Sequence, residues 1–393
     1  MNAETNAEIG PGKRILFALI AAVTVFAIVE LGAFACGKIL QSRYKMYAAP
    51  VAQRSEWFKS YDDYLKRRNP RLGWPFSVEF GGSAYDSSGS RYSPAYPDPA
   101  KSPNSVAIFG DSFAFGTEVD DEHAWANQLA LSLGSRVGNF GVPGYGTDQA
   151  YLRYSLSNDS SRVVILTHLS EGIIRHLTRD WDLITHMGYY AMKPRFVLNR
   201  RGALEEVPLP QLSEHEYLRS VGIEPPFLAM EHENFQPGGA AGVTDLTFPY
   251  SVAVLRNLGT YQLRALFARR PDHAEFYRRG HPLGGLEITA KILESFQDEA
   301  RKKGQWPLVV LLPTSQDLAY VRRTGVWSYA SLVEELDRAQ VNYLDFGPAL
   351  LKHIGNRDTK EFFKPYRHYN EEASKLLAET VHEALRDRGA ISR

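Results

Sequence analysis

From residue 105 onward the chain alternates short apolar runs with amphipathic ones, and this alternation restricts the fold more than any other feature. SVAIFG (105–110), RVGNFGV (136–142), SRVVILTHL (161–169), WPLVVLLPT (306–314) and VNYLDF (341–346) read as buried strands. Between them AWANQLALSLG (124–134) places Trp125, Leu129 and Leu133 on one helical face, with Gly134 as its stop. TDQAYLRYSLS (147–157) reads as a helix with Thr147 or Asp148 available to cap it. Further helices are expected over 285–304, 329–340 and 370–389. Strands that alternate with helices imply a three-layer α/β/α sandwich around a mostly parallel sheet. Such sheets carry their sites at the carboxyl ends of the strands.

The N-terminus follows a different rule. Lys13-Arg14 precedes the uncharged run ILFALIAAVTVFAIV (15–29), Glu30 interrupts it, and LGAFACGKIL extends it. A signal peptide with the small-residue pattern Ala33-Phe34-Ala35 fits this segment. So does a single membrane helix of about 20 residues that carries Glu30 near its far end. Lipidation at Cys36 fits less well, because Ala33 and Phe34 suit that signal poorly. We take residues 15–35 as an uncleaved anchor with the body outside the cytoplasm, and the cleaved peptide as the alternative. A tail (1–14) comes before it. An approach segment (36–104) follows, with a short helix expected before Asn69-Pro70 and a Gly-, Ser- and Pro-rich stretch after it. Lys plus Arg equals Asp plus Glu at 45 each, which leaves no basic footprint for nucleic acid. Cys36 is the single cysteine, so no internal disulfide can form.

The first strand ends in Gly110-Asp111-Ser112. Glycine allows a sharp turn there, and a serine just past it can face the crevice as a nucleophile if a histidine reaches it. The plainer reading is that Asp111 or Ser112 caps the next turn. More than the tripeptide is present. VAIFGDSFAFGTEV, VGNFGVPGYGTDQ and HYNEEASKLLAE together resemble the SGNH or GDSL hydrolase family. The resemblance covers residues 105 to about 168 and 304 to the end. It implies Ser112 as nucleophile, His368 as base, and an oxyanion hole from the backbone N–H groups of Ser112 and Gly144.

Two positions depart from that family's pattern. Its Asn block after the third strand is replaced by THLSEGIIRH, where Glu171 or Gly172 stands in the Asn position. Its Asp before the histidine is replaced by Pro365 and Tyr366. A backbone carbonyl, or a remote carboxylate such as Asp345, Asp358 or Glu361, is left to orient His368. A domain spanning 105–393 is therefore expected, with an insertion over about 172–303. Within the insertion RFVLNRRGALEEVPLP reads as a hairpin, and the insertion is expected to cap the cleft over Ser112.

The expected chemistry is serine-dependent acyl transfer from an ester or a carbohydrate ester of the cell envelope, either to water or to a sugar hydroxyl. The alternative is a non-catalytic envelope protein that binds a glycan or a partner in a degenerate cleft. No cofactor and no metal is expected. GVPGYG lacks the spacing of a phosphate loop. The pairs His168/His176 and His273/His281 lack metalloprotease spacing and read as surface or satisfied core histidines.

Overall fold

The computed structural model describes residues 10–47, 60–74, 85–185, 192–224, 227–242 and 244–391. Residues 1–9 of the expected tail, and residues 48–59 and 75–84 of the approach segment, lie outside that description. Seven strands are labelled β1 (Val106–Gly110), β2 (Val137–Gly141), β3 (Val163–Leu169), β4 (Arg195–Leu198), β5 (Leu204–Val207), β6 (Trp306–Leu312) and β7 (Tyr343–Asp345). The helices used below are α1 (Pro11–Tyr44), α2 (Ser112–Phe115), α3 (Trp125–Leu133), α4 (Thr147–Leu156), α5 (Gly172–Arg175), α6 (Tyr250–Arg256) and α7 (Tyr261–Ala268). They continue with α8 (Gly285–Lys302), α9 (Ser315–Thr324), α10 (Ala330–Arg338), α11 (Phe346–Ile354) and α12 (Glu371–Asp387).

Five strands form one all-parallel sheet in the order β2-β1-β3-β6-β7. Side chains alternate across it, as a period of two requires. Ala107, Phe109, Val164, Leu166, Val309 and Leu311 point to one face, where they meet α4, α8 and α10. Val106, Ile108, Val163, Ile165, Leu308 and Val310 point to the other, against α3, α11 and α12. Both faces are thus covered, and β1, β2 and β3 are buried throughout while the edge strand β7 is half-buried, which is why the inner strands read as continuous apolar runs. The α/β/α sandwich expected from the sequence is the fold observed.

Local differences have local causes. Gly146, not Thr147 or Asp148, is the N-cap of α4, and the Gln149 side chain accepts from its N–H at 3.2 Å. Asp148 is instead buried against Lys193 at 2.5 Å. The crossover from β3 to β6 is long. It contains the expected hairpin β4–β5 and the pair α6–α7, and its Met192 and Tyr217 form a small cluster with Tyr64 of the approach segment. It ends in α8, which lies on the sheet. The apolar N-terminus is one 34-residue helix that continues ten residues beyond Phe34.

Candidate active site

The turn after β1 is built from close approaches. A Cβ on Gly110 would lie 2.0 Å from Thr167 Oγ1, and one on Gly141 would lie 2.4 Å from Phe115 N, so both positions need glycine. Asp111 caps α2, with Phe113 N donating to Oδ1 at 2.8 Å. Capping and presentation therefore occur together. Asp111 satisfies the helix end, and Ser112 is the first helical residue. Among the described residues the Ser112 hydroxyl makes no side-chain hydrogen bond.

The carbonyls at the far end of α2 are each met. Trp125 Nε1 donates to Ala114 O at 3.0 Å, and Asn139 Nδ2 donates to the same oxygen at 2.9 Å. The buried Arg91 guanidinium donates to Phe115 O and Gly116 O at 2.7 Å, to Val119 O at 2.8 Å, and pairs with Asp121 at 2.8 Å. Arg91 thereby fixes the loop 116–121, including Glu118 at φ 74°, a conformation that non-glycine residues seldom adopt.

Glu118, which the sequence did not single out, is the carboxylate that reaches His368. Its Oε2 lies 2.6 Å from His368 Nδ1. His368 N and Tyr366 N donate to its two oxygens at 3.3 and 3.0 Å. One carboxylate thus sets both the ring and the backbone of the histidine loop. The three remote candidates do not serve. Asp345 accepts from Gly347 N and from the Tyr329 hydroxyl, both at 2.9 Å. Asp358 caps the turn of Thr359–Phe362, and Glu361 makes no described contact with His368. The sole prior signal for Glu118 was its place six residues after the serine, in the GTEV that closes the first block.

His368 stands next to the Ser112 turn. Its ring packs 5.1 Å from that of Phe113, the residue after Ser112. Tyr369 anchors the loop from below, with its hydroxyl donating to Pro313 O at 2.7 Å and its ring edge-on to Phe113 at 4.9 Å. His368 and Glu118 side chains are 16% and 13% exposed, so the pair is shielded yet open on one side.

Gly144 adopts φ 85°, and a Cβ there would lie 3.4 Å from both Trp74 and Trp181. Trp74 Nε1 donates to Pro143 O at 3.2 Å, and the Tyr145 hydroxyl donates to Trp74 O at 3.0 Å. The two indoles therefore wall the glycine loop, Trp181 arriving from the insertion. Neither Ser112 N nor Gly144 N donates to another described residue, which leaves both as donors.

The position of the missing Asn is filled differently from the family pattern. Gly172 opens α5, and the Glu171 side chain is 45% exposed. From the same short helix Arg175 reaches inward. Its Nη1 donates to Asp111 Oδ2 at 3.2 Å and to Tyr145 O at 3.0 Å. It clamps the residue before Ser112 to the residue after Gly144. Burial pushes the Asp111 carboxyl up, while Arg175 pulls it the other way. Sequence reasoning missed Arg175 because no motif positions it.

The remaining histidines of the upper sheet are core residues. His168 Nδ1 meets Thr147 Oγ1 at 2.9 Å and its Nε2 meets the Tyr277 hydroxyl at 2.8 Å. His176 accepts from Thr147 N at 3.1 Å and meets Thr289 Oγ1 at 3.0 Å. Burial holds both rings well below the usual imidazole range. Among the described residues no group of three or more His, Cys, Asp and Glu could hold a metal ion.

No family description matches the chain, and no curated protein does. Solved structures are similar to it at low identity. A protein assigned to the G-D-S-L lipolytic family of Desulfitobacterium hafniense DCB-2 is 14% identical at TM-score 0.34, over 71% of this chain and 98% of that one. A catalytic mutant of an acetylxylan esterase from Geobacillus stearothermophilus is 9% identical at TM-score 0.36, over 72% and 94%. An alpha/beta hydrolase from the metagenome of Lake Arreo, Spain, is 10% identical at TM-score 0.36, over 74% and 98%. Similarity at this level names no activity for the chain.

Proposed function

We propose that the chain is a serine-dependent acyl-ester hydrolase or O-acyltransferase of the SGNH/GDSL kind, held at a membrane by α1, with a Ser112–His368–Glu118 triad. The observation that carries this reading is the 2.6 Å contact between Glu118 and His368 Nδ1, beside the turn that presents Ser112. In the proposed reaction Ser112 Oγ attacks the ester carbonyl and His368 Nε2 takes its proton. That proton then passes to the leaving alcohol. Glu118 keeps Nδ1 protonated and stabilises the imidazolium. The N–H groups of Ser112 and Gly144 stabilise the tetrahedral oxyanion. Water then releases the acid, or a sugar hydroxyl takes the acyl group. The aromatic wall at Gly144 suits an acyl chain or a pyranose ring, and either is compatible with an ester-bearing envelope carbohydrate. The missing Asn and the missing Asp both favour a non-catalytic protein, and the Glu118–His368 contact weighs against the second of these.

Uncleaved α1 is supported by the way the helix enters the fold. Glu30, Gly37 and Leu40 are buried against the insertion, and cleavage after Ala35 would cut between them. The test of the enzyme reading is fluorophosphonate labelling of the full chain in detergent. Labelling at Ser112 that is lost in Ser112→Ala and reduced at least about 10³-fold in rate in His368→Ala is expected. Equal background in all three folded proteins would overturn it.

A further inference from the structure

The pair α6–α7 leaves its apolar residues on the outside. Phe248, Leu255, Leu258 and Phe267 are 61%, 64%, 49% and 76% exposed, and Val252 and Leu266 extend the patch. Val252 and Leu255 are exposed on α6 and Phe248 is exposed just before it, while Ala253 of the helix and its C-cap Asn257 are buried. A soluble domain seldom leaves so many large apolar side chains together in water.

This patch adjoins α1. Glu30 of α1 accepts from Tyr250 N at 2.5 Å and also binds the Ser251 hydroxyl, so the start of α6 satisfies a carboxylate carried by the apolar helix. Phe26 meets Phe248 edge-on at 6.1 Å, and Phe34 meets Tyr250 at 4.9 Å. A Cβ on Gly37 would lie 2.5 Å from Leu246, which shows how closely the chains approach. Below them Leu40, Met46, Tyr47, Ala253 and Leu263 form a cluster of their own, with the Tyr47 hydroxyl donating to Ala253 O at 3.3 Å.

These contacts fix a depth. A hydrocarbon core of about 30 Å that starts at Ile15, just past Lys13-Arg14, ends roughly 20 helical residues later, near Phe34. Glu30 then lies about 6 Å inside the far boundary and Phe26 about 12 Å inside. Whatever packs on them shares that depth. A buried carboxylate in lipid needs such partners, and the N–H groups of α6 supply them. Among the described residues, nothing covers the exposed side chains of α6 and of the end of α7 that continue from this contact.

We infer that α6–α7 is a second membrane element, a hydrophobic platform docked on α1 through Glu30 and covered by the acyl chains of the leaflet at the C-terminal end of the span. This rests on the reading of α1 as a membrane span. The platform converts a flexible tether into a fixed mounting. From α7 the chain runs directly into the Asp272–Tyr277 turn, whose Tyr277 hydroxyl donates to Ser170 O at 2.7 Å just past β3. The active-site end of the sheet is thus held at a set height over the bilayer, within reach of substrates attached to or near its surface.

The test uses the full chain in nanodiscs, with Cys36→Ser as background and environment-sensitive labels on single cysteines. Leu255→Cys and Phe267→Cys probe the platform, Val23→Cys the span, and Lys375→Cys the exposed face of α12. Doxyl-lipid quenching of about twofold or more at 255, 267 and 23, with none at 375, is the expected result. Quenching at 23 but not at 255 and 267 would overturn the platform and leave the span. No quenching at 23, 255 or 267 would overturn both. A concentration-dependent, lipid-insensitive blue shift at 255 would assign the patch to a second copy of the chain and likewise overturn the lipid assignment.

Discussion

Among the imidazole–carboxylate pairs of the molecule, two shielded from solvent are of almost equal length, His368–Glu118 at 2.6 Å and His273–Asp317 at 2.8 Å. They serve different ends, and their surroundings show why. His273 and Asp317 are fully buried. Asp317 caps α9, accepting from Thr314 N and Oγ1 at 2.7 Å, and it also takes the Ser170 and Ser328 hydroxyls. Burial alone would raise its carboxyl, but His273 and these donors hold it well below the usual range. Every acceptor site of that carboxylate is used, and no unengaged hydroxyl faces the imidazole. Glu118 spends its bonds on one histidine loop, and Nε2 of its histidine, whose ring packs on Phe113, makes no hydrogen bond to another described residue. The second pair ties β3, β6 and the Asp272–Tyr277 turn together. A histidine and a carboxylate make a catalytic pair only where a nucleophile and an opening accompany them.

The comparison breaks most sharply at Glu118. Glu118→Gln keeps a hydrogen bond but removes the charge that selects the tautomer, so turnover or probe labelling is expected to fall by about 10⁴-fold with the fold intact. Asp345→Asn, Asp358→Asn and Glu361→Gln should change it little. A rate unaltered by Glu118→Gln would return the acid to another source. Asp317→Asn is the counterpart. Removing one partner of a buried ion pair costs about 3–5 kcal/mol of stability, read by denaturant unfolding, while labelling per folded molecule should persist. If labelling vanished in folded Asp317→Asn protein, the two pairs would not be separable as drawn here.

Arg175 tests the join between the two proposed oxyanion donors, since it binds Asp111 and Tyr145 beside them. Arg175→Lys loses the guanidinium that spans Asp111 and Tyr145, and a point charge cannot bind both with the same geometry. A fall of about 10–10²-fold in kcat with KM nearly unchanged is expected if the clamp positions the donors. A shift in KM alone would make Arg175 a substrate contact instead.

What was legible in the sequence follows from how local each determinant is. Five strands and five helices announced themselves through apolar runs and spacing, and Ser112, Gly144 and His368 through short motifs. Two core helices were missed. In α11, Phe346 follows the last strand directly, and Gly347-Pro348 reads as a breaker although proline is tolerated in a first helical turn. In α9 the capping box Thr314–Asp317 was the available signal, but just two apolar side chains, Leu318 and Val321, are buried behind it. Glu118 was beyond reach for another reason. It is 250 residues from His368 in sequence, and its placement depends on Arg91 gripping three carbonyls of the intervening loop. The Glu30 contact with α6, 220 residues away, was hidden in the same way.

The smallest expected effect is a pH slope that separates the two pairs without removing either carboxylate. Asp317 raises the affinity of His273 for its proton in the folded state, overriding burial, with Asp272 and Glu171 acting in the same sense. A histidine whose folded pKa lies above its unfolded value of about 6.5 contributes stability fully below that value. The contribution is lost as pH rises through the folded pKa, because the folded state then binds the extra proton. The slope is at most about 1.4 kcal/mol per pH unit for one proton. His168 and His176 act with the opposite sign. Their folded pKa values lie below the unfolded one, so their contribution is lost as pH falls below about 6.5 and is flat above it. Asp180, which burial pushes well up, has the same sign as His273, so the variant comparison and not the raw curve isolates the histidine. As pH rises above about 6.5, wild-type stability is expected to decline more steeply than that of His273→Gln. Parallel curves for wild type and His273→Gln would mean that His273 is neutral in the fold, and that its bond to Asp317 is an ordinary hydrogen bond rather than an ion pair.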